Sequence, residues 1–173
     1  EKKRREEAFD QPVYGDRFSL GMEAGGLVLK VTLLDSLNKR LNFLNEVISR
    51  LGLEEIETVH GRAEDGARRA EHREQYDLSV SRAVSRLASL CEYCMPYVKV
   101  GGVFVSYKAE KASEELTEAK KAISVLGGKL EKEVAFQLCR TDMERDLIVI
   151  KKVKNTPKKY PRKAGTPTKE PIV

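Results

Sequence analysis

The chain has 173 residues, which is enough for one domain with a hydrophobic core and too few for two domains of ordinary size. No apolar run approaches the roughly 20 residues that span a bilayer, and the N-terminal stretch EKKRREEAFDQ has no hydrophobic signal core. Three cysteines, an odd number, fit a reducing compartment better than a disulfide framework. We therefore expect a cytoplasmic protein with no membrane partner.

The net charge of +5 is unevenly distributed along the chain. The segment from Lys151 to Val173 holds eight basic side chains against one acid, Glu170, whereas the other 150 residues carry 24 basic and 26 acidic groups. This segment also holds four of the six prolines. Such a composition is not expected to build a core, and it is suited to following a phosphate backbone. The alternative is a solvated, disordered tail without a partner.

Residues 1–30 are interpreted as an N-terminal remnant with a degenerate glycine-rich turn. Residues 21–26 bear glycines and precede LVLK, so they could form a tight turn that opens a helix. Lys30 runs straight into Val31, however, and a βαβ crossover needs about a dozen residues before the next strand. Either residues are missing at this point or the first unit of the sheet is degenerate.

The stretch from Val31 to Leu51 changes its hydrophobic period at Asp35. Val31 to Leu34 is a continuous apolar run, which is typical of a strand buried on both faces. Apolar residues then recur at steps of four and three and predict a helix, with Ser36 as its cap and Gly52 at its end. Asp35 would lie at the carboxyl end of the strand, where it either accepts hydrogen bonds from ribose hydroxyls or merely helps to cap the helix.

Strands alternate with helices along the rest of the chain, and this order predicts an α/β fold with a mostly parallel sheet between layers of helices. The last two strands are joined by a polar connection of about seven residues, which favours an antiparallel C-terminal hairpin. We assign residues 31–153 to this domain and residues 154–173 to a basic, proline-rich tail in loop conformation. The further predicted elements are strands at Ile56–His60, Leu78–Ser81, Val103–Tyr107, Glu131–Leu138 and Asp146–Val153, and helices at Val84–Tyr97 and Glu110–Leu126.

Several polar residues follow the predicted strands, at the edge where open α/β sheets bind ligands. They are Asp35, the segment Arg62-Ala63-Glu64, Arg82 and Lys108. Their carboxylates and cations suit a ligand with hydroxyls, amines and a carboxylate. Each also has a plain structural interpretation: Glu64 as a helix cap, Arg82 paired with Asp77, and Lys108 as an ordinary surface lysine.

The cysteine and histidine patterns do not support a metal site or nucleophilic catalysis. Cys91 and Cys94 form a single CxxC pair within a helical pattern, so we expect apolar packing and no metal. His60 and His72 have no serine or cysteine partner in a triad-like context. Neither GxxxxGKS nor GxxxxGKT, the pattern of a phosphate-binding loop, occurs.

Five segments carry a resemblance to a known family: VTLLDSLNKRLNFL, VHGRAED, YDLSVSRAVSRL, GGVFVSYK and KNTPKKYPRKAGTP. From Val31 to about Val173 the sequence resembles the ribosomal small-subunit methyltransferase G family, also called glucose-inhibited division protein B. The resemblance implies a Rossmann-like, S-adenosylmethionine-dependent methyltransferase fold. It also implies transfer of a methyl group from S-adenosylmethionine to N7 of a guanine in 16S ribosomal RNA, either naked or in the small ribosomal subunit, by a protein that we expect to be a monomer.

The same resemblance implies roles for individual residues. Asp35 would meet the ribose of the methyl donor, and Lys108 would be the catalytic residue beside the cleft. The other cofactor-binding residues would be Gly21, Gly25, Ala63, Glu64 and Arg82. The RNA-binding residues would be Lys39, Arg40, Lys158, Lys159, Arg162 and Lys163. Because guanine N7 is already a lone-pair nucleophile, catalysis would need mainly the alignment of N7 with the sulfonium methyl.

One segment departs from the family pattern. The family's first strand ends in a glycine-rich turn resembling DVGAGAGFPGLVLK, whereas this chain has SLGMEAGGLVLK, with Met22 and Glu23 in the turn. A glutamate there would repel the carboxylate of the donor. Two alternative functions therefore stay open: a non-catalytic RNA-binding or ribosome-assembly module that has lost the cofactor pocket, and another Rossmann-like enzyme that acts on a small acidic substrate.

Overall fold

The computed structural model describes residues 29–82, 85–108 and 112–173, so the predicted turn with Gly21 and Gly25 lies outside the described residues. The strands are β1 Val31–Asp35, β2 Ile56–His60, β3 Tyr76–Arg82, β4 Val98–Lys108, β5 Gly128–Gln137 and β6 Glu144–Lys152. The helices are α1 Asn38–Leu51, α2 Ala63–Gly66, α3 Leu87–Cys94, α4 Ala112–Val125 and the single turn α5 Thr166–Lys169, with a 3-10 turn at Met95–Tyr97. In the described ranges no helix is long and apolar enough to cross a bilayer.

The first described unit consists of β1, α1 and β2. β1 and β2 are parallel, and Asp35 lies opposite His60 at their carboxyl ends. α1 ends at Gly52, which has a φ of 59° and so adopts the left-handed conformation expected of a glycine after a helix. Apolar side chains of β1 and α1 form a small buried cluster of Val31, Leu33, Leu41 and Leu44.

The start of α1 differs from the prediction. Leu37 is the N-cap residue, and the expected side-chain cap at Ser36 is not formed. The N–H of Leu37 donates instead to Oδ1 of Asp35, at 2.8 Å. A carboxylate two residues before the N-cap therefore accepts the N–H of the N-cap residue, one of the donors that have no partner within the helix.

The other four strands follow the order β3-β4-β6-β5. β3 and β4 are parallel, with Arg82 opposite Tyr107, while β6 is antiparallel to both β4 and β5. The α/β architecture with parallel strands and an antiparallel C-terminal hairpin is thus confirmed. This sheet forms the main core together with α3 and α4, and the fully buried members of that core include Leu87, Leu90, Phe104, Leu126, Ile148 and Ile150.

The C-terminal segment, residues 154–173, packs against this domain, contrary to the expectation of a loop that builds no core. Pro161 and Pro167 are buried. The hydroxyl of Ser89 in α3 donates to the carbonyl of Pro167 at 2.7 Å, and α5 adds one helical turn. The segment is therefore part of the folded domain.

Arginines of the domain bind the backbone of the C-terminal segment. Arg73 donates to the carbonyl oxygens of Thr156 and Tyr160 at 2.8 and 2.9 Å, and Arg68 donates to that of Pro161 at 2.7 Å. A guanidinium carries five N–H donors in a fixed plane, so a single arginine can satisfy carbonyls on separate residues. The N–H groups of these arginines thus take the place of the backbone donors that would bind the carbonyls in a helix or a sheet.

A buried ion pair fixes the middle of the same segment. The side chain of Glu92 in α3 is 1% exposed and lies 2.7 Å from Nη2 of Arg162. The backbone N–H and Nε of Arg162 also donate to Oε1 of Glu92, at 2.7 and 3.0 Å. The hydrogen bonds with Glu92 raise the pKa of Arg162 above its ordinary value.

The junction between β6 and the C-terminal segment is held by Lys152 and Gly127. Lys152 is 1% exposed, donates to the carbonyl of Met95 at 2.7 Å and to the hydroxyl of Thr156, and forms an ion pair with Glu74 at 3.3 Å. Gly127 has a φ of 84°, and a Cβ there would collide with the carbonyl oxygen of Lys154. The chain therefore needs a glycine at the point where α4 meets the C-terminal segment.

Replacing Arg162 removes the partner of a buried carboxylate. We expect Arg162→Met to lower the free energy of unfolding by roughly 3 kcal/mol, the low end for buried pairs, because Arg162 keeps some contact with water. The double variant Glu92→Met/Arg162→Met should recover much of this loss, since no charge is then left unpaired. Urea unfolding measures both, with the exposed Lys163→Met as control; equal losses in the single and double variants would contradict the account.

The buried position of Lys152 leads us to predict that its contribution to the free energy of unfolding grows at alkaline pH. Burial lowers its pKa to about 8 from 10.5, although the charge of Glu74 opposes this shift. Between pH 8 and 10.5 the Lys152 side chain therefore binds more protons in the unfolded chain than in the folded one, and its contribution to the free energy of unfolding increases with pH. The raised pKa values of Cys91 and Tyr76 act in the opposite direction in the upper part of this range. The stability of the parent protein relative to Lys152→Met, measured by thermal unfolding across this range, should therefore increase with pH, while its stability relative to the neighbouring Lys151→Met should stay constant. Parallel curves for both variants and the parent protein would show that the prediction is wrong.

Candidate functional site

Asp35 places a buried carboxylate at the carboxyl end of a parallel strand. Its side chain is 4% exposed; Oδ1 accepts the Leu37 N–H at 2.8 Å, and Oδ2 accepts a hydrogen bond from Nη1 of Arg40 at 3.2 Å. The capping role that sequence analysis left as an alternative is therefore observed. A carboxylate can accept about four hydrogen bonds. The two acceptor positions that remain suit the two hydroxyls of a ribose, so the Asp35 carboxylate fits the nucleoside part of the expected cofactor.

The segment after β2 forms the short helix α2. Ala63 is 1% exposed, and its carbonyl accepts a hydrogen bond from the hydroxyl of Tyr97 at 2.9 Å. Glu64 is 5% exposed, and its Oε1 accepts the N–H of Gly165 at 3.0 Å. Arg62 is the N-cap residue, with no side-chain capping bond. Glu64 thus holds the C-terminal segment through one oxygen.

Arg82 ends β3 and is exposed. The alternative that Arg82 pairs with Asp77 is wrong, because Asp77 pairs with Lys99, at 2.6 Å. Residues 83–84, which follow Arg82 directly, lie outside the described ranges. Arg82 therefore keeps its place at the carboxyl end of a parallel strand.

Lys108 ends β4, and its side chain is 7% exposed, so it is not an ordinary surface lysine. Its Nζ donates to the carbonyl of Ser85 at 2.7 Å and to Oε2 of Glu115 at 2.6 Å. The same Oε2 accepts the N–H of Leu87, the first residue of α3, at 2.8 Å. One carboxylate oxygen therefore joins the end of β4 to the start of α3.

Sequence analysis missed Glu115. It lies among the charged residues in the first turn of an amphipathic helix, next to Glu114, and this pattern is typical of a solvated face. No local signal marks which of these acids turns toward β4. Only the three-dimensional position of Lys108 identifies it.

The residues expected to bind RNA fall into three groups. Lys39 is exposed on α1, as is Arg40, although Arg40 already contacts Asp35. The exposed lysines of the C-terminal segment are Lys158, Lys159 and Lys163. Arg162 is engaged by Glu92, so it serves the fold and its guanidinium is largely occupied.

The remaining residues singled out by sequence have structural surroundings. Cys91 and Cys94 are buried in α3, and burial raises the pKa of the Cys91 thiol well above its ordinary value, as packed thiols do. His72 shares a hydrogen bond of 2.8 Å with the hydroxyl of Tyr76. A groove of about 340 Å³ lies at the amino-terminal end of β1 and β2, away from Asp35 and His60, and is lined by Lys30, Val31, Thr32, Glu55, Ile56 and Glu57.

Comparison with known proteins gives consistent family matches. The family model described as GidB, rRNA small subunit methyltransferase G, matches residues 26–148. Ribosomal RNA small subunit methyltransferase G of Lachnoclostridium phytofermentans is 61% identical over 145 residues, which cover 84% of this chain and 60% of that protein. The protein of the same name from Clostridium novyi is 52% identical over 143 residues, covering 83% and 59%. The chain thus spans about 60% of the length of the curated relatives that it matches.

Solved structures match the fold at low sequence identity. NSun6 from Pyrococcus horikoshii, determined with SFG, superposes with a TM-score of 0.58 at 17% identity, covering 74% of this chain and 42% of that one. TYW2 from M. jannaschii, in complex with AdoMet, gives 0.52 at 15% identity, covering 70% and 57%. These likenesses confirm the Rossmann-like methyltransferase fold. The family match over residues 26–148 and the relative at 61% identity show that this chain belongs to the rRNA small subunit methyltransferase G family.

Proposed function

We propose that this chain forms the catalytic part of an enzyme that transfers a methyl group from S-adenosylmethionine to N7 of a guanine in 16S ribosomal RNA. The observation that carries the proposal is the buried Asp35 carboxylate, at the carboxyl end of β1 in a chain of this family. We place the reaction in the cytoplasm, on the RNA or the small ribosomal subunit, with the protein acting as a monomer. Residues 31–153 would form the methyltransferase domain and residues 154–173 its basic segment.

On the donor side, Asp35 would accept hydrogen bonds from the ribose hydroxyls, while its bond to Leu37 fixes the carboxylate orientation. Ala63 offers a small, buried side chain beside the adenine, and Glu64 retains one oxygen for it. Gly21, Gly25 and Arg82 complete the proposed set. When bound, S-adenosylmethionine supplies an electrophilic methyl group on a sulfonium.

On the RNA side, the docked segment presents its lysines from a fixed backbone. Contacts from Arg73 and Glu92 hold residues 156–162, and Lys158, Lys159 and Lys163 stay exposed around them. Lys39 and Arg40 would add a second group of cations next to Asp35. A prearranged set of cations loses less conformational entropy on binding than a free arm does.

Donor binding and methyl transfer can be tested together with Asp35→Asn in the full-length gene product. We expect affinity for S-adenosylmethionine, measured by isothermal titration, to fall roughly 10- to 100-fold, because a hydrogen bond to a charged acceptor is replaced by a weaker one. Affinity for small-subunit RNA should stay unchanged. The matched control is Asp77→Asn, since Asp77 is an exposed acid on β3.

The same protein should add N7-methylguanosine to 16S RNA taken from a deletion strain, and mass analysis of the digested RNA identifies the modified base. RNA binding without heat from S-adenosylmethionine in the parent protein would identify a non-catalytic RNA-binding module instead. Equal losses of donor and RNA affinity in Asp35→Asn would contradict the ribose role.

If the lysines of the C-terminal segment contact RNA phosphates, they contribute to the salt dependence of RNA binding. Deleting the segment would unfold the domain around Arg73 and Glu92, so the test replaces charges: Lys158, Lys159 and Lys163 are changed to glutamine together. We expect the slope of log affinity against log salt to flatten by roughly 2, because RNA binding releases fewer counterions when three phosphate contacts are lost. A control triple variant at the exposed lysines Lys120, Lys129 and Lys132 should change the slope less. Equal slopes for both variants would mean that the segment does not contact RNA.

A further inference from the structure

Lys108 and Glu115 form a unit at the carboxyl end of β4. The Lys108 side chain is 7% exposed and that of Glu115 is 37% exposed, with 2.6 Å between Nζ and Oε2. Nζ also donates to the carbonyl of Ser85, at 2.7 Å. A lysine ammonium has three N–H donors. Within the described residues two of them are used, so one donor is available for a ligand at this strand end.

The charge produced by the proposed reaction makes this pairing important. In transfer to N7, the N7 lone pair forms the new N–CH3 bond and the electrons of the S–CH3 bond stay on sulfur. The positive charge therefore ends on the purine, with no proton moved. An ammonium near that base would bind guanine O6 well, because O6 accepts hydrogen bonds next to N7. The same ammonium without a counter-charge would repel the methylated base.

Resting on the function proposed above, we infer that Glu115 is a positioning residue that aims the Lys108 ammonium and neutralises its charge, so that Lys108 can orient the guanine without opposing the cationic product. Two observations support this. Glu115 lies within ion-pair distance of Lys108, and its bond to the Leu87 N–H fixes the carboxylate at the start of α3. The pair offers a directed donor with no net charge, in a place where burial strengthens electrostatic effects.

The test measures binding to the full-length protein without methyl donor. Two synthetic RNA oligonucleotides span the modified guanine, one with guanosine and one with 7-methylguanosine, at a mildly acidic pH that keeps the methylated base cationic. For Glu115→Gln, which keeps an acceptor oxygen but removes the charge, we expect the ratio of Kd for methylated over unmethylated RNA to rise roughly tenfold or more. In Glu115→Asp, which keeps the charge, the ratio should stay near that of the parent protein.

The double variant separates charge from geometry. In Glu115→Gln/Lys108→Met the ratio should return to near the parent value, because no unpaired ammonium is left. Glu114→Gln is the matched control, since Glu114 is exposed in the same helical turn, and it should leave the ratio unchanged. In turnover, Glu115→Gln should lower kcat roughly tenfold while the KM for RNA and the affinity for S-adenosylmethionine change less than about twofold.

The outcomes distinguish this inference from the function on which it rests. A lower Tm for Glu115→Gln with the parent ratio of affinities would overturn the inference, since Glu115 would then serve only the start of α3. A high ratio that persists in the double variant would overturn it as well, because Lys108 would not be the source of the repulsion. No methyl transfer by the parent protein would instead overturn the proposed function itself.

Discussion

Glu92, Lys152 and Arg73 carry charges that lie against the C-terminal segment, and a charge buried without a partner destabilises a domain by several kcal/mol. The segment supplies partners: Arg162 for Glu92, backbone carbonyls for Arg73, and the hydroxyl of Thr156 for Lys152, which also pairs with Glu74. Domain and segment therefore depend on each other. A stretch whose composition is typical of a solvated arm is instead required to complete the electrostatics of α3 and β6.

The same requirement shapes the strand ends where the site is expected. Lys108 meets Glu115, and Asp35 meets Arg40, so these two buried charges each have a counter-charge at close range, while the buried Glu64 accepts the backbone N–H of Gly165. Asp35 also satisfies the start of α1. Asp35, which we propose for the methyl donor, thus also ends a strand and binds the start of a helix, and these contacts fix its orientation before any ligand arrives.

Sequence reasoning succeeded where the information is local. The apolar run that ends at Asp35 and the glycine at position 52 defined β1 and α1, and the short polar connection after β5 predicted the antiparallel hairpin. The predicted order of strands also placed Asp35 and Lys108 at the carboxyl ends of strands, where both side chains are buried. These predictions depend on periodicity and chain connectivity, which a sequence displays directly.

It failed where partners are distant in the chain. Arg162 lies in a basic, proline-rich segment whose composition is suited to RNA binding. Its partner Glu92 belongs to a helix far earlier in the sequence, so the ion pair was not predicted. The bond between one oxygen of Glu64 and the backbone of Gly165 was not predicted, and nothing in the local sequence pointed to Glu115. β4 also begins earlier than predicted, because its pairing with β3 starts at Val98 and continues past an irregularity at Gly101, which has a φ of 91° and accompanies a shift in register. Pairings of this kind are decided by the folded arrangement.

Gly127 gives the attachment of the C-terminal segment a single vulnerable point. Its carbonyl accepts the N–H groups of Val153 and Lys154 at 2.8 and 3.0 Å, and its α-carbon has no room for a methyl group beside the backbone of Lys154. Any side chain at this position would push the chain away just where it leaves β6. An inherited change there would disconnect the lysine-bearing end from the sheet while leaving every charged residue in place, so the RNA binding that we propose for these lysines would be lost through a position that carries no charge.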